Sequence, residues 1–403
     1  MDQRFIELPV SVYSSSRTSN PSLFIRMLQL PDPTIDLDWS GYVGSIQWHF
    51  GEVAKKHPDR ICVVETESSE APERRFTYKQ IYEASNVLAH YLHDAGVTNG
   101  DVVMIWAHRS VDLVVGMMGI LVWLSSLFAI SISRPIDILT SLFPSFYKAS
   151  AATLGILDPA YPPTRQKIYL EVAQPRALIN IARATDEAGP LAPIVRRYID
   201  EELQLKAEVP SLRIGDSGVL SGDEVGNEDL FAQVRTKASS PPDTQVGPDS
   251  APTLSFTSGS EGRPKGVLGR HFSLTKYFGW MAETFRLNSE SRFTLLSGIA
   301  HDPVQRDVFT PLFLGAQLLV PSKEDIQHQK LAEWMRKHKP TITHLTPAMG
   351  QILVGGATAK FPSLNMAFFV GDVLTTRDCR SLRGLAVNAN IANMYGTTET
   401  QQR

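Results

Sequence analysis

The sequence is poor in the residues that build disulfide-rich or metal-stapled proteins. It contains only two cysteines in 403 residues, Cys62 and Cys379. Two cysteines cannot form a disulfide scaffold or a cysteine-based zinc site, and they are typical of a protein in a reducing compartment. The first ten residues, MDQRFIELPV, include acidic side chains and no long apolar core, so no secretory signal is predicted. We therefore expect a cytoplasmic protein.

An excess of positive charge is also absent. Lys and Arg number 39 against 42 Asp and Glu, which gives a formal charge of −3. Electrostatic binding of nucleic acid requires a basic patch or stripe, so the composition offers no support for a nucleic-acid partner. The sequence shows no internal repeat and no Gly-x-Gly-x-x-Gly fingerprint of a dinucleotide site.

One stretch, residues 113–133, lacks charged side chains over a length that could span a membrane. Its first half has the pattern of a buried helix. Its second half belongs to an apolar, Ser- and Phe-rich segment, 122–147, without clean helix or strand alternation. We interpret this segment as a foreign insertion, such as a translated intron or a gene-model error, and we predict no membrane span.

Short apolar runs alternate with amphipathic runs along most of the chain. Apolar residues within 81–92 recur at helical spacing, and VVMIWA (102–107) is typical of a buried strand. Such alternation predicts an α/β protein with two subdomains, each built on a mostly parallel sheet. The predicted segments are an irregular extension over 1–40, a first α/β subdomain over 41–240, a Pro-rich linker over 241–252 and a second subdomain over 253–403.

The stretch LSFTSGSEGRPKGV (254–267) is the most specific signal in the chain. An apolar strand leads into hydroxyls, glycines and a lysine. Backbone amides and hydroxyls at this density suit a loop around phosphate oxygens, with Lys265 neutralising charge. The loop is not a Walker A loop, because no Gly-Lys-Ser/Thr follows at the required spacing. By composition alone, a solvent-exposed Gly/Ser turn with an incidental lysine is an equal alternative.

Two motifs in this order resemble the adenylate-forming superfamily, which includes acyl-CoA synthetases, luciferases and nonribosomal peptide synthetase adenylation domains. They are TSGSEGRPKG at 257–266 and NMYGTTE at 393–399. RFTYKQI (75–81) and DPAYPPTRQ (158–166) resemble two further family elements, and Gly371-Asp372 stands where the family has a Gly-Gly-Glu or Gly-Asp pair. The resemblance implies the large N-terminal domain of that fold, here incomplete, and ATP and Mg²⁺ as cofactors.

The resemblance also implies residue roles in the nucleotide site. Tyr395 would stack on adenine, Thr398 would bind the α-phosphate and Glu399 would hold Mg²⁺, so that Lys265, Thr398 and Glu399 are the catalytic candidates. The residues that would hold the β- and γ-phosphates are Thr257, Ser258, Gly259, Ser260, Gly262 and Lys265. The residues that would line the rest of the nucleotide site are Gly371, Asp372, Asn393, Gly396 and Thr397. Without the motif, Tyr395 could equally be a core tyrosine, and an exposed surface glutamate would be the favoured interpretation of Glu399.

Within the superfamily, DLDWSGYVGSI (36–46), AHDPVQRDVFTPLFLGAQL (300–318) and NMYGTTETQ (393–401) resemble the fungal aminoadipate reductases of lysine biosynthesis. That likeness implies adenylation of L-2-aminoadipate at its distal carboxylate. Asp302 would then bind the substrate ammonium and Arg306 the α-carboxylate, with His301 as an orienting or packed residue. A salt bridge from Arg306 to Asp302 or Asp307 is the alternative.

The chain departs from the family at its end. It stops at Arg403, before the family's Thr-Gly-Asp aspartate, the mobile lid domain, the phosphopantetheine carrier domain and the NADPH reductase domain. We therefore expect a partial chain with weak or no adenylation and no aldehyde production by itself. Its expected partners are aminoadipate and the carrier and reductase domains. The alternatives are another carboxylate-activating enzyme, such as a peptide synthetase adenylation domain or acyl-CoA ligase, and a non-catalytic nucleotide-binding gene product.

Overall fold

A computed structural model of the chain describes residues 41–121, 152–223, 229–243, 246–258, 263–327 and 330–399. The predicted extension over 1–40 and the predicted insertion over 122–147 lie outside these residues. The described part is an α/β structure in which helices alternate with strands of two mostly parallel sheets. The predicted fold class is therefore confirmed.

We number the elements in chain order. The helices are α1 (Ile46–Lys56), α2 (Tyr78–Asp94), α3 (Val111–Leu121), α4 (Pro163–Ala173), α5 (Ala182–Ala188), α6 (Pro193–Glu202), α7 (His271–Phe285), α8 (Pro303–Leu314), α9 (Lys323–Gln327), α10 (Leu331–His338), α11 (Pro347–Gly355) and α12 (Thr376–Leu385). The strands are β1 (Ile61–Glu65), β2 (Arg74–Thr77), β3 (Val102–Trp106), β4 (Thr153–Leu157), β5 (Ala177–Ile181), β6 (Ala207–Ile214), β7 (Leu220–Ser221), β8 (Thr253–Thr257), β9 (Lys265–Gly269), β10 (Arg292–Thr294), β11 (Gln317–Val320), β12 (Ile342–Leu345), β13 (Met366–Phe369) and β14 (Asn390–Asn393).

Each sheet has seven strands. Sheet 1 has the order β7-β6-β5-β3-β4-β8-β9, and sheet 2 has the order β14-β13-β12-β10-β11-β1-β2. The inner pairings of both sheets are parallel, whereas β7, β9 and β2 run antiparallel to their neighbours at the edges. Because parallel strands are covered on both faces, β4 and β5 are buried along their whole length.

The two sheets exchange strands across the predicted segments. β1 and β2, which come from the 41–240 segment, join sheet 2, where Val63 pairs with Leu318. β8 and β9, which come from the 253–403 segment, join sheet 1, where Leu154 pairs with Thr253. The division between the sheets therefore does not coincide with residues 241–252, because hydrogen bonding between strands crosses that boundary in both directions.

Residues 246–252 of the predicted linker are bound to the elements around them. The Leu154 N–H donates to the Pro252 carbonyl (2.9 Å), and the His271 N–H donates to the Ser250 carbonyl (3.0 Å). The Phe272 N–H donates to the Pro248 carbonyl (3.0 Å). These bonds join the segment to β4 and to the start of α7, so this part is anchored structure rather than a free tether.

The sequence explains why two helices take their positions. α2 begins with a capping box, in which the Thr77 hydroxyl accepts from the Gln80 N–H and the Gln80 side chain accepts from the Thr77 N–H. All eleven residues of α3 are buried, which agrees with the uncharged run predicted there. In the described part of the chain, no helix combines the length and apolar character needed to cross a membrane.

Candidate active site

The predicted phosphate loop lies between the antiparallel strands β8 and β9. Thr257 ends β8 and pairs in register with Lys265, the first residue of β9. Both residues therefore lie at the carboxyl end of β8, which is parallel to β4, and ligands of α/β sheets bind at such carboxyl ends. Ser258 and Lys265 are exposed. The predicted loop residues Gly259, Ser260 and Gly262 lie outside the described residues.

Glu399 lies beside this hairpin, although 134 positions separate Lys265 from Glu399 in the numbering. The Thr257 hydroxyl donates to Glu399 Oε1 at 3.3 Å. The pKa of Glu399 is lowered by hydrogen bonds from its own backbone N–H and from the Thr397 and Thr257 hydroxyls, and the Lys265 ammonium contributes. A hydroxyl, a cation and an ionised carboxylate are therefore gathered at one exposed edge.

The carboxyl ends of β13 and β14 form the neighbouring part of the site. Asn393 pairs in register with Phe369, and the Met394 N–H donates to the Phe369 carbonyl (2.7 Å). Gly371 has a φ of +97°, a conformation that favours glycine, and it turns the chain just beyond β13. Tyr395 has a relative exposure of 102%, so it is not a core tyrosine.

Four further predicted residues of this region are exposed or half-buried. Asp372 is exposed and its carboxylate accepts from the Val373 N–H at 2.7 Å. Gly396 is half-buried, and Thr397 is exposed. Asn393 is exposed as well, so exposed and half-buried residues alternate from the end of β14 to Glu399.

Thr398 connects the nucleotide motif to the predicted substrate residues. Its hydroxyl donates to Asp302 Oδ1 at 2.8 Å. Asp302 is buried and stands immediately before α8. This contact joins two motifs that are 96 residues apart in sequence, and the sequence patterns alone gave no indication of it.

Arg306 lies one helical turn beyond Asp302 and is 4% exposed. Its Nη2 is 3.9 Å from Asp302 Oδ2, which is an ion pair without a direct hydrogen bond. Arg306 Nε and Nη2 and Asp302 Oδ2 are buried without hydrogen-bond partners among the described residues. The predicted alternative of an Arg306–Asp302 ion pair is thus present, and both groups keep bonding capacity for a ligand.

His301 is exposed and is therefore not a packed core histidine. Its Nε2 forms a hydrogen bond with the Tyr161 hydroxyl at 2.8 Å. The Arg165 guanidinium lies over the Tyr161 ring, 4.3 Å from its centroid. The DPAYPPTRQ element is thereby placed next to His301.

A buried network holds the loop that leads into α8. Asp307 accepts from the Leu296 and Ser297 N–H groups (3.0 and 2.8 Å) and forms a hydrogen bond with His344 Nδ1 (3.0 Å). The Arg109 guanidinium donates to the Ser297 carbonyl at 2.8 Å. Sequence reasoning named Asp307 only as a partner for Arg306, and its actual partners come from other elements.

Comparison with known proteins identifies the fold and the family. The model of the AMP-binding enzyme family matches residues 50–122 and 143–401, and it passes over residues inside the segment predicted as an insertion. A solved structure, the complex of VinN with L-aspartate, has a TM-score of 0.66 at 18% identity, covering 89% of this chain and 77% of that chain. At that identity the likeness concerns the fold alone.

Closer relatives are found among curated proteins. The chain is 55% identical to the L-2-aminoadipate reductase large subunit of Penicillium chrysogenum, over 99% of this chain and 27% of that protein. It is 52% identical to the L-2-aminoadipate reductase of Schizosaccharomyces pombe, over 94% of this chain and 25% of that protein. The chain thus spans about a quarter of the length of these relatives. It belongs to the family of AMP-binding enzymes, in which it is similar to the adenylating part of L-2-aminoadipate reductases.

Proposed function

We propose that this chain uses ATP to adenylate the distal carboxylate of L-2-aminoadipate. The observation that carries the proposal is the cluster of Thr257, Lys265 and Glu399 at one edge, joined through Thr398 to the buried Asp302. The hairpin that we propose to bind phosphate is thereby joined to buried charged groups, some of whose atoms lack hydrogen-bond partners among the described residues. The similarity to aminoadipate reductases supports the choice of substrate.

The phosphate end of the site would act mainly through charge and positioning. In our proposal Lys265 neutralises the β- and γ-phosphates, while the hydroxyls and backbone amides of the loop, with Ser258, hold their oxygens. Glu399 fits a hard divalent cation, because its carboxylate is exposed and its pKa is lowered. Bound Mg²⁺ would neutralise phosphate charge, and Glu399 would be its protein ligand.

The adenosine end would be formed by the ends of β13 and β14. The exposed ring of Tyr395 offers a face for stacking on adenine. Gly371, Asp372 and Asn393, together with the backbone of 396–397, would line the adenine pocket. Thr398 would hydrogen-bond the α-phosphate, which adjoins the substrate carboxylate.

The reaction we propose is an in-line displacement. A carboxylate oxygen of the substrate forms a bond to the α-phosphorus, and the bond from that phosphorus to the bridging oxygen breaks. Pyrophosphate leaves with the electron pair, and aminoadipyl-AMP remains. The protein contributes orientation and stabilisation of phosphate charge, which account for most catalysis in phosphoryl transfer.

The substrate end of the site would recognise a zwitterion. Asp302 Oδ2 and Arg306 Nη2 face each other at 3.9 Å without a hydrogen bond, so an ammonium and a carboxylate would give each group a partner. We propose that Asp302 takes the ammonium and Arg306 the α-carboxylate, with His301 held by Tyr161 at the mouth. In the complete enzyme a phosphopantetheine carrier domain and an NADPH-dependent reductase domain would consume the adenylate.

Calorimetric titration of the purified chain tests this function. We expect binding of a non-hydrolysable ATP analogue with Mg²⁺ and, in its presence, binding of aminoadipate in preference to fatty acids and ordinary amino acids. Lys265→Ala should weaken binding of the ATP analogue and leave binding of aminoadipate close to that of the wild type. Preference for a fatty acid or for an ordinary amino acid would instead indicate another carboxylate-activating enzyme.

A further inference from the structure

The buried surroundings of Arg306 contain more unpaired polar atoms than the predicted substrate residues account for. Besides the Arg306 and Asp302 atoms, the buried Thr310 hydroxyl has no hydrogen-bond partner among the described residues, and the Tyr277 O–H has no acceptor there. Thr310 lies one turn beyond Arg306 on α8, whereas Tyr277 comes from α7. Buried polar groups without partners are rare in folded proteins, and each needs a physical explanation.

Tyr277 is close enough to Arg306 for the two groups to interact. Burial raises the pKa of the Tyr277 phenol, and the positive charge of the Arg306 guanidinium and a hydrogen bond that it donates to the phenol oxygen oppose that rise. The phenol is therefore protonated at neutral pH and available as a donor. It cannot donate to Arg306, because a guanidinium has no acceptor. A shared acceptor that both Tyr277 and Arg306 can reach would satisfy both groups.

A carboxylate is such an acceptor. It can take two hydrogen bonds on each oxygen and it carries the charge that Arg306 requires. The ammonium of a zwitterionic ligand would bind Asp302. The α-carboxylate of the same ligand would then lie where Arg306 and Tyr277 meet. The hydroxyl proton would then have an acceptor only when a ligand with an α-carboxylate is bound.

We propose that Tyr277 is a specificity-determining residue whose hydroxyl donates to the α-carboxylate of the substrate beside Arg306. This inference rests on the proposed function and extends it, because it selects dicarboxylic substrates over monocarboxylic ones. A site built to hydrogen-bond a substrate group rejects analogues that lack the group, since its own buried polar atoms are then left unpaired.

Three ligands that differ in one group each test the role of Tyr277. L-2-Aminoadipate has both the ammonium and the α-carboxylate, adipate lacks the ammonium, and 5-aminopentanoate lacks the α-carboxylate. We would titrate each into the wild-type chain and into Tyr277→Phe by calorimetry, with a non-hydrolysable ATP analogue present. Loss of one hydrogen bond to a charged group should raise the Kd of Tyr277→Phe for aminoadipate and adipate by about tenfold to a hundredfold.

The same substitution should leave the Kd for 5-aminopentanoate within about twofold of the wild-type value, since that ligand has no acceptor for the hydroxyl. It should also change the thermal midpoint by little, because the Tyr277 O–H has no protein acceptor to lose. Tyr91→Phe is the matched control. Its hydroxyl donates to the Glu208 carbonyl, so this variant should lose stability and retain all three affinities.

Two results would overturn the inference while leaving the proposed function intact. One is equal affinity of wild type and Tyr277→Phe for aminoadipate, and the other is an equal loss for all three ligands, which would indicate a general packing role. A wild-type chain that binds the ATP analogue but not aminoadipate would instead overturn the proposed substrate, and the role of Tyr277 with it.

Discussion

At the scale of single residues, Asp307 determines the geometry of the loop before α8. Its fully buried carboxylate accepts from two backbone N–H groups and is bonded to His344. An amide at this position could replace only part of these bonds, because its nitrogen donates. We expect Asp307→Asn to lower the free energy of unfolding by about 2–4 kcal/mol in urea titration.

The control for that experiment is Asp200→Asn, since Asp200 is exposed and pairs with Arg196 on the same helix. Exposed pairs of this kind contribute little, so the urea midpoint of this variant should stay at the wild-type value. Equal midpoints for both variants would show that the Asp307 network does not stabilise the fold.

Residues of the candidate site differ in how far the sequence could reveal them. Lys265 and Glu399 stand in local motifs, so their chemistry can be predicted from a few neighbouring residues in the sequence. Tyr277 and Asp307 carry no such signal, because their partners come from elements that only the tertiary fold brings together. Asn393 and Gly371 are intermediate, since their motifs are local but their adjacency depends on the pairing of β13 with β14.

At the scale of an element, α7 carries a buried titratable group at its start. His271 is fully buried, neither ring nitrogen has a hydrogen-bond partner among the described residues, and burial lowers its pKa from 6.5 to about 3. The folded protein keeps the ring neutral, while the unfolded chain takes up a proton below about pH 6.5. The contribution of the neutral ring to the free energy of unfolding is therefore fully present above about pH 6.5 and is lost as the pH drops toward 3.

We expect this single histidine to lower the free energy of unfolding by about 1.4 kcal/mol for each pH unit that the pH falls within that window. His271→Gln removes the titration, so its free energy of unfolding should decline less steeply than that of the wild type between about pH 6.5 and pH 4.5. The exposed His57→Gln variant should decline like the wild type. Parallel curves for wild type and His271→Gln would contradict a buried neutral ring.

Helix and strand positions were predictable where the apolar spacing is regular. The helical spacing over 81–92 corresponds to α2, and the uncharged run before Val122 corresponds to α3. What could not be predicted is which sheet each strand joins. β1 has the same apolar character as β3, and only contacts with β11, more than 250 residues away, assign it to sheet 2.

At the scale of the whole molecule, the exchange of strands makes the two sheets depend on one another. Residues 1–243 contain β1, whose parallel partner β11 lies beyond that limit, and β2, which pairs with β1. Residues 244–403 contain β8, whose parallel partner β4 lies before that limit, and β9, which pairs with β8. Each fragment would expose an unpaired strand edge and the apolar faces that the missing strands cover.

We therefore expect the chain to unfold as one cooperative unit, with coincident far-ultraviolet circular dichroism and tryptophan fluorescence transitions. Fragments 1–243 and 244–403, produced separately, should each show a broad, non-cooperative melt, while mixing them should restore a sharp transition. The physical reason is that the β1–β11 and β4–β8 pairings form only between the fragments. A sharp melt of the isolated 244–403 fragment would mean that β10–β14 form a stable sheet without β1, and the two halves would then be independent folding units.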